Sequence, residues 1–222
     1  MLRRTIIVST IVASTILSAA LALGLTQRAA ADSAVVNNTA ATGSVFPDAT
    51  LAVSEQGAGT RIRIDGIITP AVEERFVAAL KAVPAQRPVL VDLSSPGGFT
   101  AAGYRMIDAM LAERAAGRPL ATRVGAGDQC ESMCVGVYLA GYPRFADPSA
   151  SFMVHAPRMA EDGRMTVRTT QIMVKRLLSL GASPDWINQV KAAGGFSGSL
   201  DYRLNAAALT AAKANVVTDL IR

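Results

Sequence analysis

Three short segments of the chain hold the residue types from which acyl-transfer chemistry is assembled. The first is Ser132 in Cys130-Glu-Ser-Met-Cys134, which opens an apolar stretch running to Ala140. A serine at a helix start exposes its hydroxyl, and the N–H of the following Met133 falls in the first turn, which has no intrahelical acceptor. A nucleophile with half an oxyanion hole needs those two features; a plain N-cap serine has them as well. The second is His155, the one histidine of the chain, closing Phe152-Met-Val-His-Ala-Pro157. Any imidazole base must be this residue, and a hydrogen-bonded core histidine is the other reading. The third is Gly97-Gly98 after Ser95-Pro96. Two glycines at a turn let backbone N–H groups face a ligand at close range, or simply make the turn tight. Nucleophile, base and oxyanion donors would together suffice for a hydrolase.

Composition narrows the field around these segments. A chain of 222 residues, 50% apolar, suffices for one domain with a core and a leader. Charged residues make up 18% and form no low-complexity tract, which excludes a disordered chain or a nucleic-acid-binding tail. The net charge of +5 is uneven. Arg3, Arg4 and Arg28 stand in the first 31 residues without an acidic partner, leaving 19 basic against 17 acidic residues, a net of +2. No nucleic-acid surface is implied. One His and two Cys cannot furnish an ordinary zinc site by themselves, so neither metal nor cofactor is expected.

The first 31 residues read as an export signal: Arg3-Arg4, an uncharged apolar run over residues 5–26, then small residues at Ala29 and Ala31. Cleavage after Ala31 and retention as an N-terminal membrane anchor are both open, because the run is long enough to span a bilayer. Either way the chain from residue 32 is expected outside the cytoplasm. There, Cys130 and Cys134 are candidates for a disulfide, feasible if Cys130 lies just before the helix, or for two small buried thiols.

Residues 32–48 are small, polar and aperiodic, as in a linker, and residues 49–222 read as one α/β domain. Strands are expected at 50–53 and 61–65 around a 56–60 turn, then a helix from Thr69-Pro70 with Val72, Phe76, Ala79, Leu80 and Val83 on one face. A buried strand at 88–93 leads into the diglycine turn and a helix carrying Phe99, Ala102, Met106, Ile107, Met110 and Leu111. The order recurs: a strand at 120–124, a loop at 125–129, a helix at 132–140, and strands at 144–146 and 151–155. Helices follow at 166–180, burying Ile172, Met173, Leu177 and Leu178, and from Ser183-Pro184, burying Trp186, Ile187 and Val190. A helix from Asn205 and a strand at 216–217 finish the chain. Successive β-β-α units result, with the chemistry-bearing loops at strand-to-helix turns.

Val91-Asp-Leu-Ser-Ser-Pro-Gly-Gly98, the Glu-Ser-Met core at Ser132 and Met153-Val-His-Ala-Pro157 resemble the three signature segments of the Clp protease proteolytic subunit, in the same order. The resemblance extends over about residues 58–220, and is closer to exported, Clp-protease-like bacterial proteins with two cysteines flanking the serine. It implies the Clp-protease/crotonase fold, a right-handed spiral of β-β-α units. It also implies Ser132 as nucleophile, His155 as general base, Gly98 and Met133 as oxyanion donors and Asp201, in Asp201-Tyr-Arg-Leu-Asn205, as third triad member. If Asp201 does not orient the ring, Asp185 or a backbone carbonyl does so, or nothing does. Implied with these are a peptide or unfolded-polypeptide substrate, self-association and a periplasmic location, soluble or anchored in the inner membrane.

One departure stands out: Glu131 precedes the candidate nucleophile where the family usually has a small residue. Pointing inward, its carboxylate would oppose an oxyanion; pointing outward, it would favour the helix N-terminus. Export also separates the chain from cytosolic unfolding ATPases. The expected function is therefore an ATPase-independent serine hydrolase, with a non-catalytic binding or assembly protein on the same fold as the alternative. Acyl-CoA chemistry of the crotonase type gains nothing from the residues present.

Overall fold

Alternating apolar and charged residues at 61–65 and the branched run at 89–93 dictate the centre of the molecule. In the computed structural model, which describes residues 34–35, 46–159 and 162–221, these become neighbouring parallel strands of a seven-stranded sheet. The strands are β1 (Ala34–Val35), β2 (Thr50–Gln56), β3 (Gly59–Asp65), β4 (Val89–Ser94), β5 (Leu120–Val124), β6 (Gln129–Glu131), β7 (Arg144–Ala146), β8 (Ser151–Val154), β9 (Tyr202–Asn205) and β10 (Asp219–Leu220). The helices are α1 (Pro70–Ala82), α2 (Thr100–Ala115), α3 (Met133–Leu139), α4 (Val167–Ser179), α5 (Pro184–Ala192) and α6 (Ala206–Ala211). The large sheet runs β1-β2-β3-β4-β5-β7-β10, antiparallel at its first two pairings and parallel thereafter. A second sheet, β6-β8-β9, pairs β6 with β8 in parallel and β8 with β9 antiparallel. β5 and β6 before α3, and β7 and β8 before α4, each pass from the large sheet to the small one, and with β2-β3-α1 and β4-α2 they give the expected α/β spiral of β-β-α units.

Period-two alternation separates the two faces of the large sheet. Ile62, Ile64, Val91 and Leu93 enter the core with Val72, Phe76 and Leu80 of α1 and Met106, Ile107 and Met110 of α2. Thr69 caps α1 by accepting from Val72 N–H, ahead of the proline at the first helical position. The opposite parity puts Arg63, Asp92 and Arg123 in one cross-strand row. Asp92 is fully buried and forms ion pairs with Arg61, Arg63 (3.4 Å) and Arg123 (3.3 Å). Arg63 also binds Asp128, which anchors the loop before β6.

Several expectations need correction. The 125–129 loop ends in strand β6, and residues 202–205 form β9; at three and four residues, neither shows a readable alternation. The last strand is β10, beside β7, whereas Val216 and Val217 pack into the core without pairing. Helix α4 buries Thr170, Val174 and Leu177, leaving Ile172 at 47% and Leu178 at 37% exposure. Ala34–Val35, inside the expected linker, pairs with Val53 and Ala52. The expected leader and the rest of the linker up to residue 45 lie outside the described residues. Among the described residues, no helix is long and apolar enough to cross a membrane.

Removing the shared carboxylate of the arginine row tests its weight. Asp92→Asn should lower unfolding free energy by about 3–5 kcal/mol, because it leaves three guanidinium groups facing each other. A urea midpoint unchanged from the parent would contradict this.

Candidate active site

Strand β6 brings the three signature segments together. Ser95, just past β4, accepts from Glu131 N–H (3.0 Å) and donates its N–H to Gln129 O (2.7 Å). On the other side, Cys130 pairs with Phe152 and Glu131 with Met153 of β8. Ser132 continues this ladder by donating its N–H to Met153 O at 2.7 Å. Ser132 and His155 therefore emerge from the carboxyl ends of adjacent parallel strands, whose backbones run about 4.8 Å apart. The Ser95–Gly98 turn emerges beside them. Ligands of open α/β sheets bind at such carboxyl ends.

Ser132 is held at φ 54°, ψ −120°, and its side chain makes no capping hydrogen bond to α3. A positive φ is costly for a residue with a Cβ. The N-cap reading is therefore not what the structure shows; the chain instead turns sharply from β6 into α3 with the serine at the apex. Cys130 and Cys134 are joined as a disulfide with a Cα–Cα distance of 5.2 Å, and both residues are fully buried. Cys130 precedes the helix and Cys134 lies within it, the arrangement that makes a bridge feasible. The bond ties the strand to the helix across Ser132.

His155 is half-buried. Its Nδ1 lies 2.7 Å from the carbonyl oxygen of Ala156. A carbonyl only accepts, so this contact puts the proton on Nδ1 and leaves Nε2 with its lone pair. Burial holds the imidazole below its ordinary pKa and Arg158 adds to that, while Ala156, Asp201 and Glu131 pull the other way. The ring is thus neutral near pH 7. Asp201 does not take the orienting position expected of it: its carboxylate binds Arg158 at 2.7 Å, and no hydrogen bond joins it to the ring. The backbone carbonyl, held in view as an alternative, occupies that position. Asp185 lies in the first turn of α5. Among the described residues, no hydrogen bond joins Ser132 to His155.

The diglycine turn packs against the serine. Gly97 has φ 96°, and a Cβ there would stand 2.8 Å from Ser132 Cβ and 3.0 Å from Met133 N. At Gly98 (φ 151°) a Cβ would collide with the Ile68 carbonyl oxygen. Ile68 fixes the turn from outside, donating to Gly97 O and accepting from Phe99 N–H, both at 2.8 Å. The N–H groups of Gly98 and Met133 donate to no partner among the described residues, and both residues line the cleft that holds Ser132 and His155. Glu131 is buried and paired with Arg203 of β9, which also donates to Ser151 Oγ at 3.0 Å. Glu131, Met153 and Arg203 share one row of the small sheet, so the carboxylate is neutralised within it.

The cleft encloses about 110 Å³ between α2, α3 and α4. Its other walls come from Tyr104, Met133, Met173, Arg176 and Leu177, with Arg158 beside His155. Sequence reasoning did not single out Tyr104, Arg158 or Arg176, which belong to no motif and meet only through helix packing. Among the described residues, no group of three or more His, Cys, Asp or Glu side chains could hold a metal ion.

A sequence profile of the Clp protease family matches residues 57–182, more than half of the chain. The chain belongs to the Clp protease family. The matched segment includes Gly98, Ser132 and His155, and Asp201 lies beyond it. Among solved structures, the chain is similar to a point mutant of ClpP1 from Listeria monocytogenes, with 18% identity and a TM-score of 0.57. That likeness covers 73% of this chain and 91% of the other, and shows that this Clp protease family member shares its fold. No curated protein matches it.

The strained serine offers a direct test. Ser132→Gly should stabilise this Clp protease family member by about 1 kcal/mol, since glycine takes a positive φ without Cβ crowding. Chemical denaturation reads the difference, and a destabilised variant would count against strain at this position.

Proposed function

We propose that the chain is a serine hydrolase acting on peptides or unfolded polypeptides, with Ser132 as nucleophile and His155 as general base. The observation that carries this reading is the conformation of Ser132: it stands at a strained apex, caps nothing, and shares a cleft with a neutral imidazole whose Nε2 is unprotonated. Backbone strain persists where surrounding structure over-determines it, and such places are often functional.

The reaction follows from the parts. Ser132 Oγ attacks the scissile carbonyl carbon while its proton passes to His155 Nε2. Charge then develops on the carbonyl oxygen, where the N–H groups of Gly98 and Met133 can receive it, each well-placed donor contributing about 3–4 kcal/mol to the transition state. The imidazolium gives its proton to the leaving amine, and water then repeats the sequence on the acyl-enzyme. In this reading Ala156 O holds the tautomer, a role usually filled by a carboxylate. Asp201 acts on the ring only through its field, and the Glu131–Arg203 pair keeps a second carboxylate from opposing the oxyanion.

An exported location belongs to the same proposal, on the strength of the first 31 residues, and a Cys130–Cys134 disulfide suits an oxidising compartment. The alternative, a binding or assembly protein on the same fold, draws its support from the missing Ser132–His155 hydrogen bond. Catalytic hydrogen bonds are often loose without substrate and tighten when it binds.

A fluorophosphonate probe separates the two readings. Ser132 should label, with no labelling in Ser132→Ala and a rate at least about a hundredfold lower in His155→Ala. Asp201→Asn should stay within about tenfold of the parent, far from the loss of about 10⁴ expected where a carboxylate fixes the tautomer. Because the His155 pKa is lowered, the labelling rate should rise with pH and reach half its plateau below about 6.5. A folded protein that never labels would favour the binding reading.

A further inference from the structure

The cleft beside Ser132 is chemically one-sided. Two guanidinium groups, Arg158 and Arg176, line it, and no aspartate or glutamate does. Arg158 is committed at the rim, donating to Asp201 at 2.7 Å and to Gly198 O at 3.4 Å. Arg176 is less fully used. One of its Nη atoms binds Asp108, and its guanidinium lies 5.6 Å from the Tyr104 ring centroid. Its Nε is buried, yet no acceptor meets it among the described residues. That Nε is closed off from solvent; the Nη that Asp108 does not hold also has no hydrogen-bond partner among the described residues, and it is the guanidinium donor a ligand in the cleft can reach. The Tyr104 hydroxyl on the same wall also has no hydrogen-bond partner among the described residues.

Asp108 lines a separate hollow that Arg176 and Tyr104 also border, and is absent from the lining of the cleft. It grips Arg176 from that hollow without placing negative charge in the cleft itself. Met133, Met173 and Leu177 surround the approach with apolar surface. Such walls suit a short methylene chain and strengthen any charge-assisted hydrogen bond made at its end. A carboxylate carried by one or two methylenes fits this combination: apolar sides, a cationic N–H without an acceptor, and a phenol beside it.

We propose that the cleft selects substrates with an acidic side chain, Asp or Glu, on the residue whose carbonyl Ser132 attacks. Arg176 is the recognising group and Arg158 a second cation at the rim. This rests on reading Ser132 as the nucleophile, and it names the substrate class of that site. A neutral amide of the same shape still accepts a hydrogen bond from the guanidinium but forms no ion pair with it, which sets the discrimination.

Binding to Ser132→Ala protein measures selectivity apart from catalysis. Fluorescein-labelled hexapeptides that differ only in Glu or Gln at one central position are titrated by fluorescence anisotropy. The Glu peptide should bind roughly tenfold tighter than the Gln peptide. That ratio should fall to within about twofold when Arg176→Gln is added, and should shrink as salt is raised. Asp108→Asn, which releases the competing carboxylate, should widen the ratio, and this variant serves if Arg176→Gln does not fold. Equal binding of the two peptides, including no measurable binding of either, overturns the proposal. So does a Glu preference that survives Arg176→Gln together with Arg158→Gln, or one that narrows in Asp108→Asn. If the Glu preference is found while the parent protein never labels with fluorophosphonate, the cleft is acid-selective and the hydrolase reading alone fails.

Discussion

Strand β6 is three residues long, and the placement of every candidate catalytic group depends on its register. Its backbone hydrogen bonds reach Ser95 on one side and β8 on the other, and the ladder ends with Ser132 N–H on Met153 O. A slip of one residue would reverse the facing of every side chain along the strand. Cys130 would leave the core, and Ser132 would no longer stand at the bend. The diglycine turn depends on the same register, because Gly97 has room only while the Ser132–Met133 backbone stays where it is. Apolar packing builds the large sheet, but a handful of backbone hydrogen bonds converts the sheet ends into a site.

Charge is handled by pairing within sheets. Asp92 sits among three arginines in one row, and Glu131 meets Arg203 across another. Both carboxylates are buried, and each is neutralised by a residue on a strand of its own sheet. His155 is treated differently: burial keeps it uncharged, and a neighbouring carbonyl fixes its tautomer. At the cleft, the N–H groups of Gly98 and Met133 and one Nη of Arg176 have no hydrogen-bond partner among the described residues. Donors left free along its wall give that hollow its chemical character.

Much of this was legible in the residues. Alternation at 61–65, the branched run at 89–93 and the Thr69-Pro70 start predict their elements because each rests on a strong local preference. The motifs around Gly98, Ser132 and His155 carry the family resemblance and meet at one cleft. Strands β6 and β9 escaped because three or four residues cannot display a period. Apolar residues on two sides of α4 led the sequence to Ile172 and Leu178 as buried; packing chose Thr170, Val174 and Leu177 instead. Asp201 was placed by resemblance alone, and the nearest cation, Arg158, took its carboxylate. No pattern signals that a backbone carbonyl will orient an imidazole, or that Arg176 will reach the cleft from the last turn of α4. Those facts exist only after the helices have packed.

The sulfur bridge spanning the serine has a kinetic side. Both sulfurs lie beneath the surface, so a small thiol in solution cannot approach either one while the strand–helix junction is closed. Exchange must wait for that junction to open, and its rate is then set by how often this part of the chain breathes. The lifetime of the bond in a reducing buffer is therefore a clock for local fluctuations at the nucleophile's backbone.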